Sequence, residues 1–213
     1  MGCDIHPYIE YTVKGYIKDE VRVEHFAVLN GERDYTLFAA LTDGEIRGID
    51  GVGAVPKPKG LPDDLSWRVF DEATLFVSER NDADDSEHST SLSMAREWTS
   101  GSRYGHVSSQ WVSGGYAKLE VYDAKKHGEL VDGRPKDKSF RWITHPDWHT
   151  HSWLNADELE DAIESYPEIQ RKNWGEDSIS KPHAEVYGWL AAMRALDESD
   201  GVIASRLVIW FDN

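Results

Sequence analysis

Three of the nine histidines, His145, His149 and His151, lie within seven residues, directly ahead of a strong helix start. Imidazole is the commonest neutral metal ligand and the usual acid or base near neutral pH. In an extended segment His149 and His151 point to the same side, and Asp147 adds a carboxylate. The spacing therefore indicates a metal or acid–base site. The alternative is that these histidines cap a helix, stack on Trp148 or Trp153, or face solvent.

The helix after this cluster has a clear start signal. Asn155 is a suitable N-cap and Glu158 completes a capping box, so we expect the helix to begin at about Ala156. It should end near Tyr166, because Pro167 disfavours helical backbone in the residue before it. The upstream segment from Phe140 is β-prone, which places the histidines on a strand-to-helix loop. The free N–H groups of the helix start would suit a phosphate or a metal-bound water.

A second group of polar residues lies near the N-terminus. The β-prone segment Cys3–Val13 alternates so that Asp4, His6 and Glu10 share one face. An Asp-x-His pair on one strand can supply two ligands to a divalent ion, or a histidine with its orienting carboxylate. A solvated polar face is the alternative interpretation.

Two further positions complete the predicted site. Arg33 lies at the start of a predicted short helix, Glu32–Leu41, where it could hold a phosphate or carboxylate bidentately; an ion pair with an acidic neighbour is the alternative. The apolar run Ser205–Asn213 predicts a strand buried on both faces. Such a strand would hold Asp212 in a fixed position near the site.

Length and composition predict one α+β domain over residues 1–213, since 39% apolar content can bury one sizeable core. We expect a mixed or mainly antiparallel sheet, about three to five helices and long loops, including residues 42–66, which are rich in glycine and proline. The remaining elements expected are strands at Trp67–Phe70, Thr74–Ser78, Val107–Val112 and Tyr116–Tyr122, and helices at Ser91–Trp98 and Pro182–Leu196.

The net charge of −16 argues against a long nucleic acid as partner, because a basic face supplies most of the affinity for a phosphate backbone. A small anionic ligand is compatible with it, since a local pocket can be positive inside an acidic envelope. The single cysteine excludes an internal disulfide, and no apolar run is long enough to span a membrane. We expect a cytosolic protein without a membrane partner, and a homo-oligomer is allowed.

Several motifs together resemble a widespread group of bacteriophage and prophage proteins, and the resemblance spans the chain. The motifs are Gly2-Cys3-Asp4-Ile5-His6, Arg33-Asp34-Tyr35 with Leu37-Phe38-Ala39, Gly60-Leu61-Pro62-Asp63, His149-Thr150-His151-Ser152 with Leu154 and Glu158-Leu159, and Trp210-Phe211-Asp212-Asn213. The resemblance implies a viral origin and the cytosol of a bacterial host. Residues 147–152 also resemble the first metal-binding motif of the polymerase-and-histidinol-phosphatase phosphoesterases.

These features lead to a first hypothesis, a metal-dependent, phosphodiesterase-like hydrolase of a small nucleotide such as a cyclic nucleotide immune signal. One or two divalent ions would activate water while Arg33 neutralises the developing charge. The predicted metal ligands are Asp4, His6, His149, His151 and Asp212. The predicted catalytic residues are Asp147, His149, His151 and Arg33. The predicted ligand-binding residues are Arg33, Tyr35, Trp148, Ser152 and Trp153.

The second hypothesis is a non-catalytic sponge that sequesters the same kind of nucleotide. Tryptophans would stack on the base while the helix start and Arg33 hold the phosphate, without turnover. A third hypothesis is an inhibitor that binds a protein. Carboxylates that converge on the histidines would favour hydrolysis, whereas a tryptophan-lined pocket without a metal would favour sequestration.

Overall fold

The structure is a computed structural model that describes residues 4–15, 21–31, 33–44, 48–78, 89–100 and 142–212. The chain forms two compact units, residues 1–69 with 150–213 and residues 70–149. In chain order the described elements are β1 (Ile5–Lys14), β2 (Val21–Val28), α1 (Tyr35–Thr42), α2 (Trp67–Ala73), β3 (Thr74–Ser78), β4 (Ser89–Ser91), α3 (Leu92–Ser100), β5 (Trp142–Thr144), β6 (Trp148–Leu154), α4 (Ala156–Trp174), a 3-10 turn (Glu176–Ser178), α5 (Ala184–Asp197) and β7 (Val202–Asp212).

The first unit is built on a four-stranded sheet in the order β2-β1-β7-β6. β1 pairs antiparallel with both β2 and β7, and His6 lies opposite Trp210 while Glu10 lies opposite Arg206. Because side chains alternate along a strand, Ile5 and Ile9 point to one face and these paired residues to the other. The predicted alternation of β1 is therefore confirmed.

The apolar face of this sheet packs against helices α1, α4 and α5. The core combines strand residues such as Ile9 and Phe211 with helix residues such as Leu41, Ile169 and Trp189. The opposite face of the sheet is polar and aromatic. It is this second face that holds the residues predicted to do chemistry.

Helix α4 begins at Ala156 with the predicted capping box, in which Asn155 and Glu158 each accept a backbone hydrogen bond from the other. It does not end before Pro167 but continues to Trp174. An interior proline costs about 3 kcal/mol or more. Burial of Ile169 and Gln170 in the turn after the proline offsets that cost.

The second unit contains a three-stranded sheet in the order β4-β3-β5, with β3 parallel to β4 and antiparallel to β5. Its small core consists of Leu75, Val77, Ala95 and Ile143. α3 lies close to the predicted range, and β3 matches the predicted strand at Thr74–Ser78.

The α+β class is confirmed, with five α-helices and seven strands in the described ranges. The predicted strand at Trp67–Phe70 is wrong, because these residues begin helix α2. The predicted strands at Val107–Val112 and Tyr116–Tyr122 lie outside the described residues. In the ranges that the structure covers, no helix combines the length and apolar character needed to cross a membrane.

Candidate functional site

The first and last strands of the chain bring Asp4, His6 and Asp212 together. Since β1 and β7 run antiparallel, the start of β1 lies beside the end of β7. The Asp212 carboxylate accepts a hydrogen bond from the Asp4 backbone N–H through Oδ1 at 2.8 Å. Its other oxygen, Oδ2, lies 3.2 Å from His6 Nε2. The side chains of His6 and Asp212 are each 30% exposed, so the pair is open to solvent on one side.

Arg33 joins this group from the segment before α1. Its Nε and Nη2 groups donate to the two carboxylate oxygens of Asp4 at 2.9 and 3.3 Å. The hydrogen bond to Asp4, followed by the charge of that carboxylate, raises the pKa of Arg33 above its ordinary value. Both side chains are about half exposed, at 52% for Arg33 and 47% for Asp4. We call Asp4, His6, Arg33 and Asp212 the Asp–His–Arg cluster.

Local structure explains why Arg33 lies there. Gly31 packs so closely on β1 that a Cβ at this position would overlap the carbonyl oxygen of Ile5. Asp34 caps α1 by accepting from Leu37 N at 3.0 Å, and its second oxygen accepts from the Tyr166 hydroxyl at 2.8 Å. The turn that carries Arg33 is therefore fixed from both sides.

An aromatic array continues from the cluster across the polar face of the sheet. The Trp210 indole is fully buried and stacks with His6, Tyr8 and His151, at ring-centre distances of 5.8, 4.7 and 6.2 Å. In the strand order, β7 with Trp210 lies between β1 with His6 and β6 with His151. The two histidines therefore share one aromatic array but lie on either side of the indole along the sheet.

The histidine motif lies on strand β6 rather than on the predicted loop. Thr150, between the two histidines, has a left-handed backbone with φ of 54°. A β-branched residue rarely adopts this conformation, and it interrupts the alternation of an extended strand. Regular strand alternation therefore does not apply across Thr150, and the expectation that His149 and His151 point to the same side stays a prediction.

Residues 59–66, which we call the strap, contact strand β6 at their N-terminal end. Gly60 N donates to the His151 carbonyl at 3.0 Å, and Lys59 N donates to Ser152 Oγ at 3.3 Å. The Lys59 ammonium contacts both Glu158 oxygens at 2.6 and 2.7 Å and lies 3.9 Å from the centre of the Trp153 ring. Two predicted ligand-binding residues, Ser152 and Trp153, thus contact the strap.

The far end of the strap is held by a buried ionic network. Glu10 is fully buried, and its carboxylate accepts hydrogen bonds from Ser66 N at 2.6 Å and from Arg206 Nε at 2.9 Å. Arg206 also donates to the Asp64 carboxylate at 2.6 Å. The strap, which is the last part of the predicted loop, is therefore anchored to the sheet at both ends.

Asp147, Trp148 and His149 belong to the second unit. Asp147 N donates to His145 Nδ1 at 3.2 Å, and the rings of His145 and Trp148 lie 4.9 Å apart. Burial lowers the pKa of His145 below its ordinary value, and the Asp147 carboxylate acts in the opposite direction. His149 is half-buried on β6.

The composite site is thus brought together in part. Asp4, His6 and Asp212, with Arg33, form one cluster, and His151 is linked to it through Trp210. Tyr35 lies close enough to Arg33 to contribute to the rise in the pKa of the guanidinium. Within the described ranges, no group of three or more His, Cys, Asp or Glu residues is positioned to hold a metal ion. The predicted metal ligands of the first unit, Asp4, His6, His151 and Asp212, therefore do not form one such group.

Three features that position the candidate site were not given this role from the sequence: Trp210, Gly31 and the Asp34–Tyr166 pair. A signal existed for Trp210, since it is two residues before Asp212 in the C-terminal motif. Gly31 follows an asparagine, a pair that indicates a turn and not close packing on a strand. Tyr166 gave no signal, because its partner is 132 positions away.

No family model, no curated protein and no solved structure matches this chain. The resemblance to bacteriophage and prophage proteins stays a prediction.

Proposed function

We propose that the protein is a phage-encoded hydrolase of a small nucleotide that acts in the cytosol of a bacterial host, with the Asp–His–Arg cluster as its active site. The observation that supports this most directly is the contact of 3.2 Å between His6 Nε2 and Asp212 Oδ2 beside the Arg33 guanidinium. A carboxylate-oriented histidine next to an arginine provides proton transfer and charge neutralisation, the two requirements of phosphate ester hydrolysis.

Three of the four residues of the cluster have a chemical role in this proposal. His6 exchanges a proton with the attacking water or the leaving oxygen, and Asp212 orients the ring and stabilises its protonated form. Arg33 binds the phosphate and offsets the charge that develops in the transition state. Stacking on Trp210 fixes the plane of the His6 ring, which limits the geometries in which it can transfer a proton.

The role of a divalent ion is a separate question for experiment. The described residues do not form a metal site, so none of the steps above uses a metal. The assay nevertheless includes conditions with and without divalent ions, because the sequence pattern predicts a metal-dependent enzyme.

Sequestration without turnover is the other outcome that the assay can reveal. Stacking of a base on tryptophan has less support, because the Trp210 ring is fully buried between other rings and the Trp153 ring is contacted by Lys59. A base would instead have to contact Tyr35 at the edge of the cluster.

The test is to incubate the untagged protein with cyclic di- and trinucleotides, linear nucleotides and ADP-ribose derivatives, then denature it and analyse the small molecules by mass spectrometry. Fragments should form with the wild type and be lost with His6→Gln and Asp212→Asn. His183→Gln is the matched control, since His183 is exposed at the start of α5. Ligand that is depleted but recovered intact would establish sequestration, and no cleavage or depletion would refute nucleotide binding.

A further inference from the structure

The Arg33–Asp4 pair has the geometry of a bound ligand. Arginine binds carboxylates and phosphates in the same way, with two parallel N–H groups directed at two oxygens. Asp4 places its two oxygens on Nε and Nη2 of Arg33, where two phosphate oxygens would lie. A ligand phosphate can therefore use this edge of the guanidinium only if the Asp4 side chain leaves it.

The structure allows the Asp4 side chain to leave. Its position just before β1 is held by the backbone, since Asp4 N donates to the Asp212 carboxylate and Asp4 O accepts from Asp212 N at 3.2 Å. The Asp4 carboxylate accepts through both oxygens from Arg33. The pair is also half exposed, and exposed ion pairs contribute little stability. A rotation about the side-chain bonds of Asp4 is sufficient to release Arg33.

We propose that Asp4 is an internal competitor that a ligand must displace from Arg33, which weakens the binding of every anion by the same factor. The ligands that still bind well are then those that Arg33 holds most strongly, which carry a terminal, doubly charged phosphate. This inference rests on the proposed function, because it assigns the ligand class of the same site. A singly charged group offers Arg33 no more charge than Asp4 already does. A phosphate monoester, which carries between −1.5 and −2 charges at about pH 7, offers more.

The inference ranks nucleotides by their phosphate groups. Those that carry a terminal phosphate should bind better than cyclic dinucleotides, whose internal phosphodiesters are singly charged. Removal of the competing carboxylate should raise the affinity for every anion by the same factor and leave their order unchanged.

The experiment measures binding of methyl phosphate, dimethyl phosphate and acetate at pH 8 by calorimetry, together with the NMR resonance of the Arg33 Nε–H group. Asp4→Asn removes the competing charge and keeps the size of the side chain. Asp157→Asn is the matched control, because Asp157 is an exposed carboxylate at 2.6 Å from the Arg194 guanidinium on the same unit.

The wild type should bind methyl phosphate in preference to dimethyl phosphate and acetate, with a shift of the Arg33 resonance. If Arg33 is occupied by Asp4 nine-tenths of the time, Asp4→Asn should bind all three about tenfold more tightly. Asp157→Asn should behave as the wild type. Unchanged or weaker binding by Asp4→Asn, or equal affinities in the wild type, would overturn the inference.

These measurements involve no turnover, so they separate the two proposals. Displacement of Asp4 without nucleotide cleavage would refute the hydrolase and retain the ligand class. Nucleotide cleavage together with no gain in affinity in Asp4→Asn would refute the ligand class and retain the hydrolase.

Discussion

Two ionic clusters lie between the same two strands, on the same face of the sheet, and they differ in exposure. The Asp–His–Arg cluster lies where β1 begins and β7 ends, and its ion pairs are between 30% and 52% exposed. The second cluster, Glu10 with Arg206 and Asp64, lies further along these strands, and its Glu10–Arg206 pair has side-chain exposures of 0% and 14%.

The difference shows how burial separates a structural role from a chemical one. A buried ion pair cannot exchange its partner for a ligand without a large desolvation cost, so Glu10 and Arg206 fix the strap. An exposed pair can exchange partners at small cost, so Arg33 is available to a ligand. Similar residue types on one pair of strands therefore serve two different purposes.

The largest expected effect is on catalysis. His6→Gln removes the proton-transfer group and should reduce turnover by about 10²–10⁴-fold, which is the usual contribution of such a group. The free energy of unfolding should change little, because the His6 side chain belongs to the more exposed of the two clusters. Turnover and thermal unfolding, measured on the same preparation, test both statements.

His149→Ala provides the contrast to this variant. With the active site at the Asp–His–Arg cluster, His149→Ala should retain turnover, whereas a composite metal site would require His149 as well. Equal loss of turnover in both variants would place His149 in the active site and contradict the present assignment.

The second effect is on stability. Glu10→Gln leaves Arg206 without its buried carboxylate, and breaking a buried pair in this way typically costs about 3–5 kcal/mol. Urea unfolding should show this loss, while the variant that remains folded should still bind methyl phosphate. A variant as stable as the wild type would mean that the buried cluster does not hold the strap.

A smaller effect on stability, and a loss of phosphate affinity, are expected where β1 contacts the segment that carries Arg33. Gly31→Ala places a methyl group against the Ile5 carbonyl and should cost about 1–3 kcal/mol, as overpacking usually does. It should also weaken phosphate binding by displacing Arg33. Gly53→Ala, at a position with φ of 76° and open space, separates backbone strain from this steric effect.

The smallest effect concerns the bond that fixes Asp34. Tyr166→Phe removes the hydroxyl that donates to Asp34 and should cost about 1 kcal/mol, the usual net value of such a bond. Unfolding in denaturant near neutral pH measures it. Phosphate binding should weaken slightly, because Asp34 positions the turn before α1.

The same bond has a pH signature. Burial first, and then the bond to Asp34, raises the pKa of Tyr166 above its ordinary value of 10.0. The folded chain therefore holds this proton more tightly than the unfolded chain. The stability from Tyr166 is complete below about pH 10 and is lost as the pH rises further. Unfolding of the wild type should show this decline, and it should be smaller in Tyr166→Phe.

Much of the fold could be predicted from local sequence. The start of α4 follows from Asn155 and Glu158, because a capping box acts over three residues. The burial of β7 follows from its continuous apolar run. The end of α4 could not be predicted, since burial of Ile169 after Pro167 depends on strands and helices far away in sequence. The strand predicted at Trp67–Phe70 was wrong although a local signal was present, since Ser66 Oγ accepts from Val69 N at 3.4 Å at the start of α2, as an N-cap residue does.

The candidate site was harder to predict from the sequence than the fold. Residue types identified Asp4, His6, Arg33 and Asp212 as chemically capable, but their convergence depends on the antiparallel register of β1 and β7. The position of Trp210 between the strands of His6 and His151 also depends on that register. The sequence alone could not show whether two histidines share a metal ion or, like His6 and His151, lie on either side of an indole ring.

The register of β1 and β7 also affects the order in which the molecule matures. The backbone of Asp4 bonds a carboxylate 208 positions further along the chain. Ribosomes add about 5–20 residues per second, so the first strand waits roughly 10–40 seconds for its partner. Under the proposed function, Arg33 and Asp4 are present throughout that interval without an active site, and the nascent chain is inert toward a nucleotide until β7 has been synthesised and paired.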